Sequence, residues 1–244
     1  MMRHSNAALR HRFEPCLTFA PLPWLKLAFL CHSGNTEIGG FGISAKNNLL
    51  YVEDFVTVKQ QVTSLTVRFL DDAVADHFDN CLEHGIPPAR CGRLWFHTHP
   101  GDSPLPSGTD EETFARSFGA CDWAVMFILA RSGHTYARLA FAAGPKAQIE
   151  IPVHVDWSAW PDCVGKYKPS VDALFAQWRQ EYDANVQPLP QSPRRPAAAA
   201  AFPPDVVDVA WGCDDRLYLP CDPLDPLMDQ ETLLYEFPDY AYFE

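Results

Sequence analysis

The stretch Leu94-Trp95-Phe96-His97-Thr98-His99-Pro100, followed by Ser107 and Asp110, brings two imidazoles and a carboxylate close together in the chain. Its apolar head suits a β-strand, and alternate residues of a strand point to one face, so His97 and His99 share a side. Just past the strand's end the chain is free to curl and bring both rings onto one ion, with Asp110 closing the ligand set. Two neutral imidazole nitrogens and one carboxylate oxygen match a catalytic zinc, which takes three protein ligands and keeps a fourth position for water. A zinc so bound acidifies that water to roughly pH 7, so the site reads as hydrolytic. A structural zinc more often uses four ligands rich in cysteine, and no cysteine lies between His97 and Asp110.

Ser107 and Asp110 also fit local roles. Ser107 suits the N-cap of a helix beginning at Gly108 or Thr109, and Asp110 suits its first turn. Both roles are compatible with a metal site.

The pattern His97-Thr98-His99-Pro100, Pro104-Leu105-Pro106-Ser107 and Asp110 resembles the JAMM (MPN) metalloprotease motif, and the likeness covers roughly residues 20 to 160. That family also carries a glutamate on an earlier strand before small residues, a position matched by Glu37 in Thr36-Glu37-Ile38-Gly39-Gly40-Phe41-Gly42. The resemblance implies an α/β fold of the cytidine-deaminase-like kind, with a mixed, mostly antiparallel sheet flanked by helices. It implies one Zn2+ held by His97, His99 and Asp110, Glu37 as general acid/base, and Ser107 beside the oxyanion. A carboxylate at such a site can take a proton from the attacking water and pass it to the leaving amine, and a hydroxyl can donate to the oxyanion. Glu53, Asp54 and Asp102 are rival bases. Glu53 and Asp54 adjoin a strand expected to be partly exposed, and Asp102 lies inside the loop between the ligands.

Around this centre the chain has 244 residues, 47% of them hydrophobic and 13% aromatic, ample for one principal domain. The longest apolar runs, such as Trp123 to Ala130, fall far short of a membrane span, and Pro15, Pro21 and Pro23 interrupt any leader-like N-terminus. Eight cysteines without C-x-x-C spacing read as reduced thiols in a cytoplasm. Cys31, Cys81, Cys91 and Cys121 lie in core-like contexts, whereas Cys163, Cys213 and Cys221 are poorly spaced for a second metal.

The periodicities predict a domain over 21–160 after an N-terminal extension, 1–20. Within it, Trp24 to Cys31 is helical, Ile38 to Ser44 starts the sheet, and Leu49 to Lys59 with Leu65 to Leu70 resembles a hairpin. An amphipathic helix runs from Asp71 to Glu83 and stops at Gly85. The motif strand covers 91–96, a helix Gly108 to Phe118, a buried strand Trp123 to Arg131, its hairpin partner Thr135 to Ala142, and a last strand Gln148 to Val155. A C-terminal helical segment, 161–187, has its helix over Val171 to Tyr182; a Pro/Ala-rich linker occupies 188–204 and an acidic aromatic tail 205–244.

From residue 203 onward eleven acidic residues face Arg216 alone, a net −10 of the chain's −12. Trp211, Tyr218, Leu233, Leu234, Tyr235, Phe237 and Tyr240 are too many large apolar groups for a purely solvating tail. The tail is expected either to bind a basic partner, such as a ubiquitin-like conjugation enzyme, or to pack on its own domain. By the resemblance, the substrate is the bond after the C-terminus of a ubiquitin-like protein, cut as a precursor or as a conjugate in a bacterial ubiquitin-like pathway. A JAMM hydrolase acting on a small sulfur-carrier protein and a non-catalytic MPN-type scaffold are the alternatives. The filled motif argues against a scaffold, and the chain's acidity argues against a nucleic-acid partner.

Overall fold

Trp123–Ala130 (β7), eight residues without a charge and buried over nearly their whole length, forms the spine of the larger sheet. The computed structural model describes residues 14–160 and 170–190. Eight strands lie in the order β10 (Val153–Val155), β1 (Leu17–Phe19), β3 (Tyr51–Val56), β2 (Gly39–Ser44), β6 (Leu94–His99), β7, β8 (Thr135–Phe141) and β9 (Ala147–Glu150). β2 runs antiparallel to β3 and β6, and β8 antiparallel to β7 and β9; the β1–β10, β1–β3 and β6–β7 pairs are parallel. The architecture is therefore mixed α/β, with a mostly antiparallel sheet flanked by helices. β9 and β10 stand at opposite ends of the strand order, yet only Ile151 and Pro152 separate them. Ile151 N donates to Ala137 O, and Leu17 N donates to Pro152 O, so the sheet curls until its two edges approach.

Side-chain alternation along the strands assigns the two faces. Leu94 and Phe96 point to one side, where Phe19 and Phe127 pack on Phe96 at ring separations of 5.3 and 5.1 Å and α1 (Pro21–Cys31) contributes Leu27 and Leu30. Trp95, His97 and His99 point to the other side, where Phe114 of α4 (Gly108–Phe118) stacks on Trp95. On the outer side of α1, α5 (Val171–Asn185) docks through Phe29, Phe175 and Trp178, with Lys26 Nζ 2.7 Å from Glu181. A three-stranded sheet of β11 (Val186–Pro188), β4 (Gln60–Val62) and β5 (Val67–Phe69) lies across the end of β2. α2 (Asp71–Glu83) and the short α3 (Pro88–Cys91) lead into β6. Among the described residues no helix is long and apolar enough to cross a membrane.

Several elements differ from the sequence expectations. The segment Leu49 to Lys59 does not form a hairpin with Leu65 to Leu70. β3 already has β2 and β1 on its two sides, so the hairpin is closed by β4 with β5 instead. The expected last strand, Gln148 to Val155, breaks at Pro152, which has no N–H to continue a ladder, and its second half crosses to β1. Within the presumed N-terminal extension, Leu17–Phe19 is a buried strand of the sheet. α1 begins a turn early because Pro21 occupies a first-turn position, where a missing N–H costs nothing. The motif strand starts at Leu94 rather than 91 and runs through His99, so both histidines lie on regular strand. α2 and α4 take the expected bounds, and Gly85, with φ +69, ends α2 as predicted. Pro188 and Leu189, at the start of the expected linker, continue the β11–β4 pairing. Residues 191–204, the tail, Arg194-Arg195 and Cys163, Cys213 and Cys221 lie outside the described residues.

β2 is buried on every residue, and its glycines allow that closeness. A Cβ on Gly40 would meet the Val56 carbonyl at 2.3 Å and the Phe55 ring at 2.8 Å. We expect Gly40→Ala to cost about 1–3 kcal/mol by overpacking. Gly101→Ala, with nothing within 4 Å, should stay within about 0.5 kcal/mol. Urea midpoints that move equally for both would contradict this packing.

Candidate metal centre

The strand β6 carries the first two donors. Because His97 and His99 alternate correctly, their rings lie on one face with centroids 5.2 Å apart, rather than converging past a strand end as the sequence suggested. Thr98 between them points to the opposite face, where its Oγ1 accepts from Ile38 N at 3.1 Å. His99 Nδ1 donates to the Ser103 carbonyl at 2.9 Å, which fixes the tautomer and leaves Nε2 with its lone pair free.

Asp110 enters from the first turn of α4. Ser107 is the N-cap, and the reciprocal bonds of a capping box are both present: Asp110 N donates to Ser107 Oγ at 3.2 Å, and Ser107 N donates to Asp110 Oδ2 at 2.7 Å. Ser107 Oγ also lies 2.7 Å from Oδ2 and donates to it. Oδ2 is thereby held, while Oδ1 faces His97 Nε2 at 3.3 Å; His99 Nε2 lies 3.6 Å from Oδ2. The His97 and Asp110 atoms are close but lack the alignment of a hydrogen bond. That is the arrangement of two donors turned toward a common point. Donor atoms from His97, His99 and Asp110 all lie within 4.8 Å of one another.

Glu37 is brought to the same place by main-chain bonds on three successive residues. Glu37 N donates to Thr63 O; Ile38 exchanges bonds with Thr98 through both N and O; Gly39 N and O are both bonded by the buried Gln60 amide at 2.8 Å. Gly39 is paired with His97 across β2 and β6. Glu37 Oε1 then lies 3.9 Å from His99 Nε2, and the residue is 5% exposed. Of its rivals, Glu53 pairs with Arg90 at 3.0 Å instead, and Asp54 and Asp102 are exposed.

Sequence reasoning missed Gln60, Thr98 and Arg131 as supports. Arg131 N donates to the His99 and Gly101 carbonyls, while its guanidinium donates to Asn35 Oδ1 at 3.0 Å and to the Gly34 carbonyl. It thus ties the end of β6 to the turn before Glu37. Thr98 was visible in the motif, but nothing in a lone glutamine or arginine marks such a partner.

Burial and charge shape the electrostatics. Burial pushes the Glu37 carboxyl up to about 7; His99 opposes the rise and Asp110 adds to it. Burial holds the His97 ring below its ordinary range despite Asp110. For His99, burial acts against the charged ring, but Asp110, the Ser103 carbonyl and Glu37 outweigh it and raise the pKa. Burial also opposes ionisation of Asp110, and the two imidazoles overcome it, holding the carboxyl well below the usual range.

Of eight buried side-chain polar atoms left without a hydrogen bond among the described residues, four belong here: Glu37 Oε2, both His97 nitrogens and His99 Nε2. Buried polar groups are rarely left unpaired, and His97 Nε2 and His99 Nε2, which both face the Asp110 carboxylate, are the two of these that one divalent cation could take as ligands. Comparison with models of known protein families finds no match to this chain, and comparison with curated proteins finds none either.

Proposed function

We propose that this chain is a zinc-dependent (iso)peptidase of the JAMM type, with a cytidine-deaminase-like fold, that acts in the cytoplasm on the bond after the C-terminus of a ubiquitin-like protein. The observation that carries the reading is the convergence of His97, His99 and Asp110 with a buried fourth group, Glu37, held beside them but outside the three-donor set. Bound there, zinc would supply a Lewis acid and an acidified water. His97 Nε2, His99 Nε2 and Asp110 Oδ1 would hold it.

Glu37 takes the proton of the attacking water as the new C–O bond forms. It delivers that proton to the amine as the C–N bond breaks, so one carboxylate serves both halves and is restored at the end. Ser107 Oγ now donates to Asp110; as an oxyanion donor it would turn that hydrogen to the substrate, while its backbone N–H continues to hold Asp110 Oδ2.

A groove supports an extended peptide as substrate. A cavity of about 1120 Å³, lined by Phe41, Val67, Phe69, Trp95, Thr109 and Arg116 among others, reaches β6 at Trp95, on the strand face that also carries the two histidines, though neither histidine lines it. β5 forms its wall and, among the described residues, is an edge of the small sheet, so a flexible C-terminal tail of a substrate has a strand to pair with. The loop 101–107 does not line this cavity; its Ser103 carbonyl orients His99 instead.

Glu37→Gln should keep zinc and lose about 10²–10⁴-fold in turnover of a ubiquitin-like protein fused to a peptide. A zinc-loaded Glu37→Gln with full activity would sink the base assignment, and a wild type that cuts only a sulfur-carrier conjugate would transfer the site to that substrate class. Ser107→Ala frees Asp110 Oδ2 from its hydroxyl partner, so zinc affinity in a chelator competition should fall about 10–100-fold. Unchanged affinity would show that the hydroxyl does not orient Asp110.

A further inference from the structure

α2 and α3 together span residues 71–91 with little apolar anchorage. Their only fully buried side chains are His77, Cys81 and Cys91. These three are also metal donors, and their donor atoms all lie within 4.8 Å of one another. His77 and Cys81 are one helical turn apart on α2, with Sγ 3.8 Å from Nε2. Cys91 closes the group from the end of α3, three residues before β6.

The surroundings hold the trio in place. The His77 ring stacks on Phe41 of β2 at 4.8 Å, and Ile43, Val56, Phe78 and Ile86 enclose the two thiols. Gly85 N donates to Leu82 O and Ile86 N to Cys81 O, the reciprocal ending that fixes the Cys81 turn. Packing alone would be better served here by aliphatic side chains, which carry no polar atom into the core.

We infer that His77, Cys81 and Cys91 form a second, structural site for a thiophilic divalent cation of the zinc class. Two thiolates and a neutral imidazole neutralise the charge of a divalent ion, so the occupied site is net neutral and tolerates its burial. A monovalent soft ion would leave an uncompensated negative charge. Two thiol protons leave as two metal–sulfur bonds form, and His77, whose Nε2 now donates to the Cys91 carbonyl at 2.9 Å, would give up that hydrogen bond and carry its ring proton on Nδ1 so that Nε2 offers a lone pair. The ion would fasten α2 to the end of α3, three residues before the strand that carries His97 and His99, along one wall of the groove.

Loading the reduced full-length chain with Co2+ tests this apart from any activity. We expect a near-ultraviolet thiolate-to-cobalt charge-transfer band, which a site of two histidines and an aspartate does not give. The band should survive in His97→Ala and be lost in Cys81→Ser and Cys91→Ser. Because a serine variant can fail to fold, zinc-edge X-ray absorption of the wild type provides a second reading, with sulfur neighbours expected. Absence of the band in the wild type, its persistence in both serine variants, or a zinc spectrum without sulfur would overturn the second site.

Discussion

The antiparallel pairing of β2 with β6, in the register that sets Gly39 opposite His97, is the constraint on which the candidate site depends. It places the residue two positions after Glu37 against the first imidazole. The link is reinforced outside the ladder, since Thr98 satisfies both main-chain groups of Ile38 and Gln60 satisfies both of Gly39. A slip of one residue would turn His97 and His99 to the α1 side and deliver Phe96 and Thr98 in their place. The apolar face therefore enforces the register that the chemistry needs. Phe96 is locked between Phe19 and Phe127, and Trp95 lies against Phe114.

Two buried carboxylates, Glu37 and Asp110, face two imidazoles, one of which burial keeps neutral. Asp110 is committed to ionisation by its neighbours and by the capping bonds from Ser107. Glu37 is instead drawn toward neutrality by burial. The two carboxylates thus have opposite tendencies in one small space. The capping box that starts α4 serves the site as well as the helix, since the bonds that satisfy the first turn also aim Asp110.

Much of this was legible in the sequence where short-range patterns decide the outcome. His97, His99, Ser107 and Asp110 lie on one strand, one loop and one helix start, and their spacing alone places them together. α2 and α4 carry strong periodicity and clear stops, so their bounds were readable. What escaped were long-range pairings. Nothing local tells that Leu17–Phe19 belongs beside β3, or that Pro152 sends the chain to the far edge of the sheet. Partner choice also hid the β4–β5 hairpin, because β3 was already paired on both sides. Gln60 and Arg131 look like ordinary polar residues until the fold brings them to Gly39 and Gly34.

The most direct test is a crystal structure of the zinc-loaded chain with anomalous data at the zinc edge. A peak between His97 Nε2, His99 Nε2 and Asp110 Oδ1, with Glu37 beside it and outside the ligand set, is the predicted result. No peak at this triad, or a peak ligated directly by Glu37, would contradict the account.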